Sequence, residues 1–254
     1  MSRLQKVFAS DRKALIPFIV AGDPNLDATA ALITELAHRG ADIIELGVPF
    51  SDPVANGPIV QESCLRALAA GTDSNKVLAM VANLRNEGGI TTPIVLFIYY
   101  NCLYRRGCRS FVEKATAAGV NGLMVPDLPF EEAVELHQAC QDSGMDLIYT
   151  AASTSTPQRL RRIAELTTAF IYCVPLAGVN DELTAFIERL RTTNKPLTMG
   201  FDRSEPEQAI RLASLVDGVI VENALVQMIH DSPEPVQAAG DFVHSLRKAL
   251  DTKV

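Results

Sequence analysis

Eight short apolar or β-branched runs recur down the chain, at residues 15–21, 42–47, 94–100, 122–126, 147–151, 170–174, 197–200 and 218–221. Most are near-continuous rather than alternating, which marks strands buried on both faces. The segments between them carry helical spacing. Residues 26–39 place Leu26, Ala30, Ile33, Leu36 and Ala37 on one face, and residues 131–142 do the same with Ala133, Leu136, His137 and Cys140. Further helices are expected at 111–118, 158–166, 182–191 and 205–213, the last with Ser204 and Glu207 as a capping box. Each connection is long enough for a right-handed crossover, so the sheet is expected to be parallel. Additional helices are expected at 2–9, at 59–70 and 74–86 after the second strand, and at 236–250.

Eight strand–helix alternations without a Gly/Ser-rich linker predict an α/β fold, one closed (β/α)₈ TIM barrel spanning 1–254 as a single domain. An open dinucleotide-binding sheet would carry G-x-G-x-x-G after its first strand, and Ala21-Gly22-Asp23-Pro24 stands there instead. The length of 254 residues suits a barrel, and 48% apolar with 21% charged residues excludes a disordered chain. A net charge of −7 argues against nucleic-acid binding. No apolar stretch reaches membrane-spanning length, and the basic N-terminal segment lacks a cleavage site, so a cytoplasmic protein is expected. Cys64, Cys102, Cys108, Cys140 and Cys173 are odd in number and lack C-x-x-C spacing, which predicts reduced, buried thiols. The four histidines show no metal-ligand spacing, so no metal is expected. Packing roles are expected for Tyr100, Tyr104 and Tyr149.

In a barrel the chemistry lies at the C-terminal strand ends. Strand two ends Asp42-Ile43-Ile44-Glu45-Leu46-Gly47, with Ile43, Glu45 and Gly47 sharing one face. A carboxylate inside an apolar strand is costly unless it is paired or functional. Glu45 therefore reads either as a structural ion pair or as a barrel-lining acid/base with a raised pKa. A long loop shaped by prolines and glycines follows, residues 47–58.

Residues 44–53, Ile-Glu-Leu-Gly-Val-Pro-Phe-Ser-Asp-Pro, resemble the hallmark of the tryptophan synthase α subunit family. The resemblance continues through Tyr99-Tyr100-Asn101, Val125-Pro126-Asp127-Leu128-Pro129, Ser153-Thr154-Ser155, Phe170-Ile171-Tyr172, Gly178-Val179 and Gly218-Val219-Ile220-Val221. It implies a retro-aldol lyase that cleaves indole-3-glycerol phosphate to indole and glyceraldehyde 3-phosphate without a metal or organic cofactor of its own. It further implies proton transfer by Glu45 and assistance by Tyr172 near the scissile bond. The implied partner is a pyridoxal-phosphate β subunit in an α2β2 heterotetramer. Pro49, Phe50, Ser51, Asp52, Pro53, Asn101, Asp127 and Pro129 are the implied partner-facing residues.

The chain departs from that pattern at the substrate end. Asn56 replaces the family aspartate that holds the indole N–H, so it can accept a hydrogen bond but carries no charge. The family's Gly-Phe-Gly-x-Ser reads Gly200-Phe201-Asp202-Arg203-Ser204, and its Gly-Ser after strand eight reads Glu222-Asn223. The sixth-strand loop has lost an arginine and reads Leu176-Ala177-Gly178-Val179-Asn180-Asp181. A carboxylate about 6 Å from a phosphate dianion costs roughly 4–6 kcal/mol at an effective dielectric of about 20. These replacements predict an α chain in tryptophan biosynthesis whose own lyase activity is weak or lost, acting as the allosteric partner of β. The alternatives are a competent lyase, or a barrel remodelled for an unphosphorylated ligand.

Overall fold

The computed structural model describes residues 1–174, 180–201 and 206–253. Its strands are β1 (Ala14–Val20), β2 (Ile44–Gly47), β3 (Ile94–Phe97), β4 (Gly122–Met124), β5 (Asp146–Ile148), β6 (Thr150–Ala151), β7 (Ile171–Cys173), β8 (Leu197–Phe201) and β9 (Gly218–Val221). All described pairings are parallel, in the order β5-β4-β3-β2-β1-β9-β8-β7-β6. The two ends of that order, β5 and β6, are separated only by Tyr149. The fifth predicted strand is thus one run interrupted at a single residue, and the sheet curls into the expected TIM barrel.

The helices are α1 (Arg3–Val7), α2 (Leu26–His38), α3 (Pro58–Ala69), α4 (Ser74–Asn86), α5 (Tyr100–Tyr104), α6 (Cys108–Ala117), α7 (Val134–Ser143), α8 (Pro157–Leu166), α9 (Asp181–Arg191), α10 (Pro206–Ala213), α11 (Asn223–Asp231) and α12 (Pro235–Lys253). Two of them, α5 and α11, are not expected from the apolar spacing. The first is too short to show a period, and the second begins one residue after β9 ends. The predicted capping residue Ser204 lies outside the described residues. No described helix is long and apolar enough to cross a membrane.

Strand residues alternate between two apolar layers, which explains the continuous hydrophobic runs. Ile16, Phe18, Val20, Ile43, Val95, Met124, Ile148 and Ile220 form the interior cluster. Leu15, Ile19, Ile44, Leu46, Leu96, Leu147 and Val219 face outward against Leu32, Leu36, Val81, Phe111 and Phe186 of the helices. The strands' N-terminal ends are tied by polar side chains that accept strand N–H groups. Asp42 accepts from Leu15 N at 2.8 Å, Asn121 from Ile94 N at 2.9 Å and Asp217 from Leu197 N at 2.8 Å. This end of the barrel therefore carries stability, and the opposite end is left for chemistry.

Gly22 shows how tightly the β1 exit is built. Its φ is +92°, and an added Cβ would lie 2.1 Å from Thr72 Oγ1. Gly22→Ala is expected to cost about 2 kcal/mol in urea denaturation through overpacking and the left-handed backbone, and Thr72→Ala should relieve part of it.

Of the tyrosines assigned to packing, Tyr149 is buried and Tyr100 half-buried, but Tyr104 is 67% exposed. Its ring lies against that of Tyr100, with centroids 5.9 Å apart, at the exposed end of the five-residue α5. Four of the five cysteines are buried and Cys102 is half-buried; all are free thiols.

Candidate active site

Glu45 sits in β2 in register with Phe18 of β1 and Val95 of β3, among the interior residues. It is 3% exposed, and its Oε1 has no hydrogen-bond partner. Apolar burial first, and the negative charge of Glu222 second, push its pKa up to about 8. Among the described residues, the structural ion pair that such a carboxylate could have signalled is not formed. Two residues on, Gly47 leaves room for the Phe18 ring, since a Cβ there would approach Phe18 Cζ to 2.8 Å.

The loop after β2 brings Asn56 beside this carboxylate's end of the barrel. The Ala55 N–H donates to Tyr99 Oη at 3.0 Å, and Tyr99 donates its hydroxyl proton to Asn56 Oδ1 at 2.7 Å. Asn56 Nδ2 in turn donates to Glu222 Oε1 at 2.8 Å. These partners fix the amide's orientation, with oxygen toward Tyr99 and nitrogen toward Glu222. The Asn56 carbonyl is held as well, by Gln61 Nε2 at 2.8 Å.

Tyr99 anchors the arrangement. It is 2% exposed, stacks on Phe50 with centroids 5.1 Å apart, and meets Phe97 edge-on at 5.9 Å. Burial raises its phenol pKa far above neutrality, so it remains a proton donor. The sequence places Tyr99 within a motif but assigns it no task. Its signal is the period of two from Val95 and Phe97, which puts a polar tip at the open end of an apolar strand face.

Glu222 follows β9 directly and is the N-cap residue of α11, yet its side chain caps no N–H of that helix. It reaches instead across the mouth to Asn56. Asn223, also half-buried, lies near the same loop, 3.9 Å from where a Cβ on Gly57 would sit. Tyr172, in β7 between Thr150 and Thr198, is half-buried and packs against the interior cluster. Gly200 is buried in β8. Asp181 is exposed in the first turn of α9, whose N-cap Asn180 accepts from Leu183 N; it serves there as an ordinary first-turn charge. Gly178, Asp202, Arg203 and Ser204 lie outside the described residues.

Among the residues expected to face a partner, Ser51, Asp52, Asn101, Asp127 and Pro129 are exposed, while Phe50 is half-buried and Pro49 and Pro53 are buried. Asp127 fixes its loop by accepting from Tyr100 N at 2.9 Å. No cluster of three or more His, Cys, Asp or Glu suited to a metal occurs among the described residues.

The sequence profile described as tryptophan synthase alpha chain matches residues 4–251. The chain belongs to the tryptophan synthase alpha chain family. It is 43% identical to the alpha chain of Gloeobacter violaceus, over 98% of this chain and 95% of that one. It is 42% identical to the alpha chain of Geotalea uraniireducens over 98% of both. Among solved structures, the alpha subunit from Legionella pneumophila str. Paris superposes with a TM-score of 0.93 at 36% identity, covering 99% of both chains. A tryptophan synthase from M. tuberculosis in an aminoacrylate-bound form gives 0.90 at 30% identity, covering 98% of this chain and 100% of that one. The chain is thus a tryptophan synthase alpha chain of tryptophan biosynthesis, a family that pairs with a beta subunit.

Proposed function

We propose that this alpha chain cleaves indole-3-glycerol phosphate weakly or not at all, and acts as the allosteric partner of a cytoplasmic β subunit in an α2β2 assembly. The observation that carries this reading is the Glu222 carboxylate, held over the barrel mouth 2.8 Å from the Asn56 amide. Barrels commonly receive phosphate on the loops after their last two strands, at a helix N-terminus. Glu222 is the first residue after the last strand and the N-cap of α11. A dianion arriving there meets a fixed negative charge, at a cost of roughly 4–6 kcal/mol for a 6 Å separation.

The indole end is weakened independently. An aspartate at position 56 would offset positive charge developing on the ring nitrogen, whereas Asn56 supplies only a dipole. In a water-excluded site, losing such electrostatic assistance costs about 3–4 kcal/mol in the transition state. Glu45 supports the same picture from the other side. Its raised pKa keeps it protonated at neutral pH, so the proton-transfer group survives while both ends of the substrate have lost their matching charge.

The partner side is preserved. Exposed Ser51, Asp52, Asn101, Asp127 and Pro129 all lie in segments that follow C-terminal strand ends. Val54 at 78% exposed, Tyr104 at 67% and Val134 at 74% add apolar surface in these same segments. Apolar and aromatic groups ringed by polar ones suit a protein–protein contact. The pyridoxal phosphate chemistry belongs to the β partner, and this chain needs no cofactor for the role.

The test has two arms. Indole release from indole-3-glycerol phosphate is measured for the chain alone and with a β subunit. Condensation of serine with indole by that β subunit is then measured with and without the chain. The expected result is little or no indole release together with a changed condensation rate. Ordinary lyase turnover, carried by Glu45 and Tyr172 with Asn56 orienting the ring, contradicts the first half. An unaltered condensation rate contradicts the second.

A further inference from the structure

We propose that Glu222 and Asn56 form one mutually dependent specificity device, in which the Glu222 carboxylate turns the barrel mouth toward a substrate end bearing neutral hydroxyl donors and away from a phosphorylated one. This rests on the reading above for the location of the phosphate end and names the ligand chemistry that the site takes instead.

Three hydrogen bonds support the pairing. The Asn56 amide is locked in one orientation by Tyr99, and only that orientation presents an N–H to Glu222. The Tyr99 hydroxyl accepts the Ala55 N–H and directs its own proton to Asn56 Oδ1. An aspartate at 56 would keep the Tyr99 bond but set a second carboxylate oxygen against Glu222 in place of the N–H. The neutral amide at 56 and the acid at 222 therefore fit each other, and neither is equally suitable with the other changed.

Glu45 supplies the independent observation inside the same barrel. Its buried Oε1 has no protein partner, so a hydroxyl entering beside it would complete its hydrogen bonding. A protonated Glu45 can also donate, and a carboxylate at Glu222 can accept; a neutral polyol satisfies both. A phosphate dianion cannot donate to Glu222 and is repelled by it. The substrate class that fits is an indole ring carrying a neutral polyol tail, such as indole-3-glycerol. Tyr99 is a positioning residue here: it holds the amide and touches no ligand.

Calorimetric titration of the full chain with indole-3-glycerol and with indole-3-glycerol phosphate tests this, in the unaltered protein and in E222Q, N56D and N56D/E222Q. The E222Q change keeps the side chain's length and an acceptor oxygen while removing the charge. E222Q is expected to shift the affinity ratio at least tenfold toward the phosphorylated ligand. N56D is expected to shift the ratio at least threefold the other way when Glu222 is present, and less than twofold in the E222Q background. Thermal melts run alongside should show N56D destabilising only the Glu222 form, a coupling that a general folding defect would not reproduce. An unchanged ratio in E222Q overturns the specificity role, and equal N56D effects in both backgrounds overturn the coupling. Full lyase turnover by the unaltered chain with the E222Q shift intact would contradict the weak-lyase reading while supporting this one.

Discussion

Glu45→Gln is expected to stabilise the fold by roughly 3–4 kcal/mol at pH 8 and by almost nothing at pH 4. Burial in an apolar barrel raises the folded-state pKa of Glu45 from an ordinary 4.5 to about 8. Below pH 4.5 both folded and unfolded chains hold the proton, so the group contributes no pH dependence. Between 4.5 and about 8 the unfolded chain releases the proton and the folded one keeps it. Stability therefore falls as pH rises through that window, because the folded state binds more protons. Glutamine preserves shape and cannot ionise, so the falling limb should flatten in urea denaturation measured from pH 4 to 8. Parallel pH profiles for the two proteins would show that Glu45 is solvated or paired in solution.

Arg247→Met is expected to cost about 3 kcal/mol, the scale for breaking a buried ion pair. Arg247 is 5% exposed and reaches from α12 to the base of the barrel. Its Nη1 donates to the Lys13 carbonyl at 2.9 Å and to Asp42 Oδ2 at 3.0 Å, and its Nη2 lies 2.6 Å from Asp251 Oδ1. Asp42 also accepts the Leu15 N–H, so the same carboxylate ties β1 to the C-terminal helix. Removing the guanidinium leaves Arg12, itself half exposed, as the remaining cation beside Asp42 among the described residues. The melting temperature should drop by roughly 6–12 °C for a chain of this size. Asp42→Asn combined with Arg247→Met should cost less than the two single changes added together, since the stranded charge is then gone. Strict additivity would show that the pair is not coupled.

The barrel was legible because its two apolar layers leave a simple trace. Leu15 and Ile19 face the helices while Ile16 and Phe18 face the interior, and each run reads as unbroken hydrophobicity. What failed to show was local and short. The break at Tyr149 and the five-residue α5 are below the length at which periodicity speaks, and α11 starts one residue after the last strand ends. Glu45 announced itself as a carboxylate in an apolar strand, and the structure places it unpaired among interior residues. The departures at Asn56 and Glu222 were visible as separate losses. Their hydrogen bond spans 166 positions of chain and could not be read from either neighbourhood. Asp181, placed by its motif in the loop after the sixth predicted strand, is an exposed first-turn residue of α9.

The most direct measurement is the rate of indole release from indole-3-glycerol phosphate by this chain saturated with a β subunit. An electrostatic loss of about 3–4 kcal/mol at the indole end alone predicts a rate two to three orders of magnitude, roughly, below that of an alpha chain carrying aspartate at the position of Asn56. A rate within about tenfold of such a chain, under the same conditions, would contradict the claim that Asn56 and Glu222 have disabled the site.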